Sequence, residues 1–202
     1  NAVVRVFTNH NIHNKKMQET YFKYNRKSFV QIGGIYFWTA TINNWQLLLK
    51  DDDFKDVIIQ SLKHLSEKKK IDLFAFVIMP NHVHFIWRIN ENNGKETTLG
   101  SFMKFTAHEF LKKLRNKNPK ELVKYKVAAN NKQHEFWQRD SLAVPLFTEN
   151  VALQKLEYIH NNPIIEKWSL AKEPADYKYS TALYYEKNIK NYTFIKNLMD
   201  EF

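Results

Sequence analysis

The 202-residue chain contains no cysteine, which excludes a disulfide framework, thiolate zinc sites and thiol catalysis. No apolar run in it approaches the ~20 residues that a helix needs to cross a bilayer, and its N-terminal stretch lacks the apolar core of a signal peptide. Internal repeats and low-complexity tracts are also missing from the sequence. A cytoplasmic protein with no membrane association is therefore the expectation.

What the chain does have is positive charge and rings. Lysine and arginine number 31 against 21 acidic residues, a formal charge of +10, and aromatic residues make up 15%. The charge draws a polyanion, and the rings offer faces on which unpaired bases stack. A ribosome-associated protein would share these properties, so charge selects nucleic acid without naming it. The length suits one well-buried core with appendages. We divide it into a basic arm over 1–28 (with Lys15, Lys16, Lys23, Arg26 and Lys27), a central domain over 29–185 and a tail over 186–202.

Hydrophobic periodicity predicts an α+β pattern. After Gly33-Gly34, a strand runs from Ile35 to Ile42. Asp51, Asp52 and Asp53 supply a cap and first-turn acids for a helix with Phe54, Ile58, Leu62 and Leu65 on one face. A second strand begins near Asp72 and passes through Pro80-Asn81 to a third. Thr97-Thr98 caps a second helix carrying Leu99, Phe102, Met103, Phe110 and Leu114 inward. Its basic end, with Lys112, Lys113, Arg115, Lys117 and Lys120, either neutralises the helix terminus or tracks phosphates. Residues 116–134 form a basic excursion expected to order on DNA. A strand near Leu142 to Phe147 and a helix capped by Asn150 follow. Strand, helix, two hairpin strands, helix, strand is the order of a ferredoxin-like, split βαβ sheet.

Two segments carry chemistry. In Phe76-Val77-Ile78-Met79-Pro80-Asn81-His82-Val83-His84-Phe85-Ile86-Trp87, the histidines are two apart on a strand and project from the same face. Val83, Phe85 and Trp87 fall on the other face and enter a core. Side-by-side imidazoles suit a metal ion. In Glu157-Tyr158-Ile159-His160-Asn161-Asn162-Pro163, Tyr158 and Asn162 are four apart on a helix stopped at Pro163, hence neighbours on one face. At about 100° per residue, Ala152, Leu153, Leu156 and Ile159 cluster roughly 150° away from Tyr158, which leaves the tyrosine off the local apolar stripe.

Met79-Pro80-Asn81-His82-Val83-His84, followed by Phe136-Trp137-Gln138-Arg139 and by Tyr158-Ile159-x-x-Asn162-Pro163, resembles the REP-associated tyrosine transposases. These are single-tyrosine HUH (His-hydrophobic-His) transposases, and the resemblance runs from about Gly33 to about Tyr185. It implies an RNA-recognition-like, four-stranded antiparallel sheet with helices packed on it and a later, tyrosine-bearing helix over the histidines. It implies His82 and His84 as metal ligands, Asn162 as a third ligand through its amide oxygen, and Tyr158 as nucleophile. The implied activity is cleavage and rejoining of single-stranded DNA beside a foldable hairpin, at a REP-like repeat or an element end, through a 5′-phosphotyrosine link. The implied cofactor is a divalent metal, Mg²⁺ or Mn²⁺, with two imidazoles favouring Mn²⁺. Lys155, Arg139 and Trp137 are candidate DNA contacts beside Lys112, Lys113 and Arg115; for Trp137 the alternative is core packing. A monomer is expected for the REP-associated branch, although dimers that share sites occur in the superfamily.

Two other classes keep a place. A non-catalytic module of the RNA-recognition type would use aromatics on the central strands and would not need Tyr158. A metal-independent histidine phosphoesterase would need a third histidine where Ile86 stands and a second His-x-Thr/Ser strand, whereas His64-Leu65-Ser66 lies in a predicted helix.

Overall fold

The computed structural model describes residues 30–129, 132–139 and 141–202. The basic arm and its histidines, His10 and His13, lie outside the described residues, apart from which the secondary structure follows the expected order. Strand β1 (Ile35–Thr41) leads to helix α1 (Asp52–Glu67), the hairpin β2 (Ile71–Ile78) and β3 (His82–Ile89), then helix α2 (Thr98–Lys117). A small hairpin, β4 (Lys126–Ala129) and β5 (Lys132–His134), precedes β6 (Leu142–Pro145), helix α3 (Glu149–Asn161) and a short α4 (Ala182–Lys187). The main sheet has the order β2-β3-β1-β6 with every pair antiparallel, the ferredoxin-like arrangement.

Local chemistry sets the helix ends. Asp51 caps α1 by accepting from Asp53 N at 2.9 Å. That helix closes in a paired turn: Lys70 N donates to Leu65 O and Lys69 N to Ser66 O, both at 2.9 Å, with Lys69 in the left-handed region at φ 57°. Thr97 caps α2 by accepting from Gly100 N at 3.0 Å. Helix α3 starts earlier than the sequence suggested. Thr148, not Asn150, is its cap and accepts from Val151 N, so Asn150 falls in the first turn.

The strand alternation divides the sheet into two faces. Trp38 pairs with Phe85 and Tyr36 with Trp87 in register, one face of the β1–β3 ladder. There Phe102 of α2 meets Trp38, Phe85 and Trp87 edge-on at 5.6–6.1 Å between ring centroids, and Phe54 of α1 meets Phe110 of α2 at 5.8 Å. Truncating a fully buried ring such as Phe102 to alanine costs about 3–5 kcal/mol. Phe37, Thr39, His82 and His84 occupy the opposite face, where α3 lies.

Residues beyond α3 protect the outer edge of β2. Ile78 N donates to Tyr179 O, Thr181 N to Phe76 O, and Lys196 N to Leu73 O. These bonds cover a strand edge that would otherwise be exposed, and the last of them ties down the segment expected as a tail. Arg88 fastens it further, bonding both Asp72 and Glu201 at 2.6 Å. Within 116–134, Tyr125 is fully buried and stacks on Phe136 at 4.8 Å, where it anchors a 3-10 turn (Pro119–Tyr125) next to the β4–β5 hairpin.

Candidate active site

The turn before β3 is held on three sides. Met79 N donates to His82 O at 2.8 Å, Ile42 N to Asn81 O at 2.8 Å, and Leu49 N to Pro80 O at 2.9 Å. His82 and His84 therefore leave a fixed backbone on one face of the sheet, their rings 4.8 Å apart.

Each ring is tied through Nδ1. His84 Nδ1 lies 2.7 Å from Thr39 Oγ1, on the residue directly opposite in β1. His82 Nδ1 lies 2.7 Å from Asn81 Oδ1, and Asn81 is oriented by its own Nδ2 donating to Trp45 O at 3.4 Å. A ring that donates from Nδ1 keeps its lone pair on Nε2, the arrangement found behind metal-bound histidines. His84 Nε2 is buried and has no hydrogen-bond partner. An orphaned polar atom in a buried ring costs on the order of 1–3 kcal/mol unless something else binds it.

Helix α3 delivers the remaining groups. The Tyr158 ring, half exposed, meets His84 at 5.2 Å and Phe37 at 5.9 Å, both edge-on. Phe37 in turn stacks on His84 at 5.2 Å. Lys155, one turn before the tyrosine, holds its ammonium 5.0 Å from the Phe37 centroid and 5.8 Å from that of Tyr158. Asn162 is buried and its side chain hydrogen-bonds the His82 ring.

Electrostatics keep both imidazoles neutral. Burial pushes His82 down to about 4 against the Asn162 hydrogen bond, with the Lys167 charge adding to the burial. Burial pushes His84 down to about 3, and the charges of His82 and Lys155 reinforce it. At neutral pH neither ring carries a proton that a metal would have to displace. Among the described residues no three His, Cys, Asp or Glu side chains gather into one cluster, and the polar side chain that reaches the His82 ring from the end of α3 is the Asn162 amide. Two imidazoles, one of them with an orphaned Nε2, and an amide oxygen fit a divalent ion of the borderline type.

The structure thus brings together His82, His84, Tyr158, Asn162 and Lys155. The other sequence-predicted contacts are elsewhere. Lys112, Lys113 and Arg115 lie on α2, which packs on the opposite face of the sheet. Arg139 is exposed and pairs with Glu135 at 3.1 Å. Trp137 follows its core-packing alternative: only 5% exposed, it donates Nε1 to Thr106 Oγ1 at 2.9 Å and lies against Phe110. Sequence reasoning missed Thr39, Phe37 and Asn81. Of these only Asn81 carried a local signal, its place beside His82.

Against known families, residues 37–162 match the model described as "Transposase IS200 like". The chain belongs to the IS200-like transposase family. A DNA transposase-like role follows from that membership, and no curated protein matches the chain. Among solved structures, a REP-associated tyrosine transposase bound to a REP hairpin is similar over 84% of this chain and 88% of its own, with 18% identity and a TM-score of 0.54. That likeness establishes the shared fold. A Deinococcus radiodurans R1 protein described as a candidate transposase is similar over 67% of this chain and 95% of its own, with 16% identity and a TM-score of 0.38. No helix among the described residues of this family member is long and apolar enough to cross a membrane.

Proposed function

We propose that this transposase is a metal-dependent, single-stranded DNA transesterase that cleaves and rejoins DNA beside hairpins through a 5′-phosphotyrosine intermediate. The observation that carries the reading is the buried, partnerless Nε2 of His84, on a ring whose centroid lies 5.2 Å from that of the half-exposed Tyr158.

His82, His84 and Asn162 would hold the divalent ion, which supplies Lewis acidity toward a non-bridging oxygen of the scissile phosphate. Asn81 and Thr39 tie the two rings through Nδ1, which leaves the Nε2 lone pairs for the ion. Tyr158 Oη forms a bond to phosphorus as the bond from phosphorus to the 3′-oxygen breaks. The phenolic proton leaves to solvent at the exposed ring, and the departing 3′-oxygen takes one up. One phosphodiester is exchanged for one phosphotyrosine ester, so a DNA 3′-hydroxyl reverses the step and joins strands without ATP. Lys155 supplies positive charge to the phosphate backbone beside Tyr158. Tyr158 and the histidine pair meet within one chain, so a monomer suffices for the reaction.

The test is incubation of the protein with end-labelled, single-stranded hairpin DNA and Mn²⁺ or Mg²⁺, followed by a denaturing gel and peptide mapping. The expected result is a metal-dependent covalent adduct on Tyr158, lost in Tyr158→Phe and in His82→Ala. Tight binding across a broad oligonucleotide pool with no adduct would replace this reading by a non-catalytic binding module.

A further inference from the structure

The turn that ends the tyrosine helix brings a second aromatic group to the site. Pro163 stops α3 and the chain folds back at once: Trp168 N and Ser169 N both donate to Ile165 O at 2.9 Å, and Leu170 N donates to Pro163 O at 2.8 Å. Ser169 sits at φ 43°, a left-handed conformation that a residue with a side chain adopts at a cost, and its Oγ donates to Glu166 O at 3.0 Å. A bent and internally bonded loop of this kind fixes where its side chains point.

What it points at the site is Trp168. The indole lies 5.9 Å from the His82 ring, tilted by 49°. It is only partly buried, packed in part against the core. The Lys167 ammonium stands 5.1 Å from the indole centroid and makes no ion pair among the described residues. A partly buried indole with an unpaired ammonium beside it matches the two halves of a nucleotide, a flat base and a phosphate.

We propose that Trp168 and Lys167 form a nucleotide subsite: the base next to the scissile phosphate stacks on the Trp168 indole, and Lys167 holds that nucleotide's backbone. This rests on the transesterase reading above and adds what that reading leaves open, how the strand is gripped beside the reacting bond. Such a contact tolerates any base, because every base has a π-face, and it prefers purines for their larger area. The loop that carries Asn162 at its start carries Trp168 a few residues on, so base stacking and the amide are positioned by one piece of backbone.

The experiment takes a hairpin oligonucleotide that gives the adduct with the full chain and replaces, one at a time, each nucleotide within three of the cleaved bond by an abasic residue. With the unaltered protein, one flanking position is expected to lower the rate of adduct formation by about 5- to 100-fold, the range that loss of one stacked base produces. Trp168→Leu, which keeps apolar packing against the sheet but has no π-face, should show the same loss with the intact oligonucleotide. The abasic change should then cost Trp168→Leu nothing more, while Trp168→Phe keeps most of the wild-type rate. Adduct formation by Trp168→Leu at the wild-type rate overturns the subsite, as do losses from variant and abasic site that multiply. Both results leave the transesterase reading intact; no adduct from the unaltered protein rejects that reading, and the subsite with it.

Discussion

Thr39 Oγ1 and His84 Nδ1 meet at 2.7 Å between residues directly opposite each other in neighbouring strands. The contact fixes the imidazole plane and leaves Nε2 as the free ring nitrogen. Removing the hydroxyl while keeping the β-branched shape should leave the fold intact and loosen the ring. Thr39→Val is expected to lower Mn²⁺ affinity by roughly 10- to 100-fold, the usual cost of losing the group behind a ligating histidine. Isothermal titration with Mn²⁺ checks this; an unchanged affinity would detach Thr39 from the metal site.

Proton competition at the two rings should be slight. Burial holds His82 at about 4 and His84 at about 3, against an ordinary value near 6.5. Both are deprotonated well below neutrality in the folded chain, so Mn²⁺ affinity should stay flat between pH 7.5 and 6. An ordinary pair of histidines would lose affinity steadily over that range as protons displace the ion. A titration series at constant ionic strength separates the two behaviours.

Lys155 holds its ammonium 5.8 Å from the Tyr158 ring centroid and makes no ion pair among the described residues. Its role as a phosphate contact predicts a change in salt dependence as well as in affinity. Lys155→Gln should weaken binding of single-stranded hairpin DNA at low salt and reduce the slope of log K against log salt by about 0.7 to 1. A parallel shift with an unchanged slope would mean that the lysine acts through packing on Phe37 instead.

These residues differ in how far the sequence reveals them. His82 and His84, Tyr158 and Asn162 are pairs at strand and helix spacing, so their shared faces follow from local geometry alone. Thr39 stands 45 residues from His84, and the two meet only because of the β1–β3 register, which periodicity does not specify. Trp137 is ambiguous in the sequence for a related reason. Its neighbours Gln138 and Arg139 are exposed, but backbone bonds from Asn43 to Phe136 and from Gln138 to Thr41 draw the tryptophan over the core. The strand and helix order was legible because turn and cap signals separate each element. The early start of α3 was not, since Thr148 and Asn150 are both acceptable caps and only tertiary packing chooses between them.

Acid should test the fastening of the C-terminal segment. Burial raises the cost of ionising Asp72, yet hydrogen bonds from Lys196, Arg88 and Asn90 outweigh it and hold the carboxyl below the usual range. A depressed carboxyl in the folded state contributes stability above its unfolded value near 4, and that contribution disappears as pH falls through the folded value. Asp72→Asn should cost about 2–3 kcal/mol at pH 7, because Arg88 loses a partner in a largely buried cluster. The difference should narrow at pH 3, where the carboxyl of the unfolded wild-type chain is largely protonated. Urea midpoints of both proteins at the two pH values give the answer; a gap that persists at pH 3 would assign the loss to packing.

Lys69 offers a gain in stability far from the chemistry. It occupies the position after the α1 C-cap where the paired turn requires a left-handed backbone, at φ 57°, and its side chain is exposed. A residue with a Cβ is strained there by about 1 kcal/mol, whereas glycine is not. Glycine also has more freedom to lose from the unfolded chain, which offsets part of the gain. The two backbone bonds to Leu65 and Ser66 do not involve the side chain and are retained. Lys69→Gly is therefore expected to stabilise the protein by about 0.5–1 kcal/mol, read as a rise of a few degrees in Tm. Tyr158 adduct formation should be unaffected, because the turn joins α1 to β2 and touches none of the site residues. A fall in Tm would mean that the Lys69 side chain contributes more on the surface than its backbone strain costs.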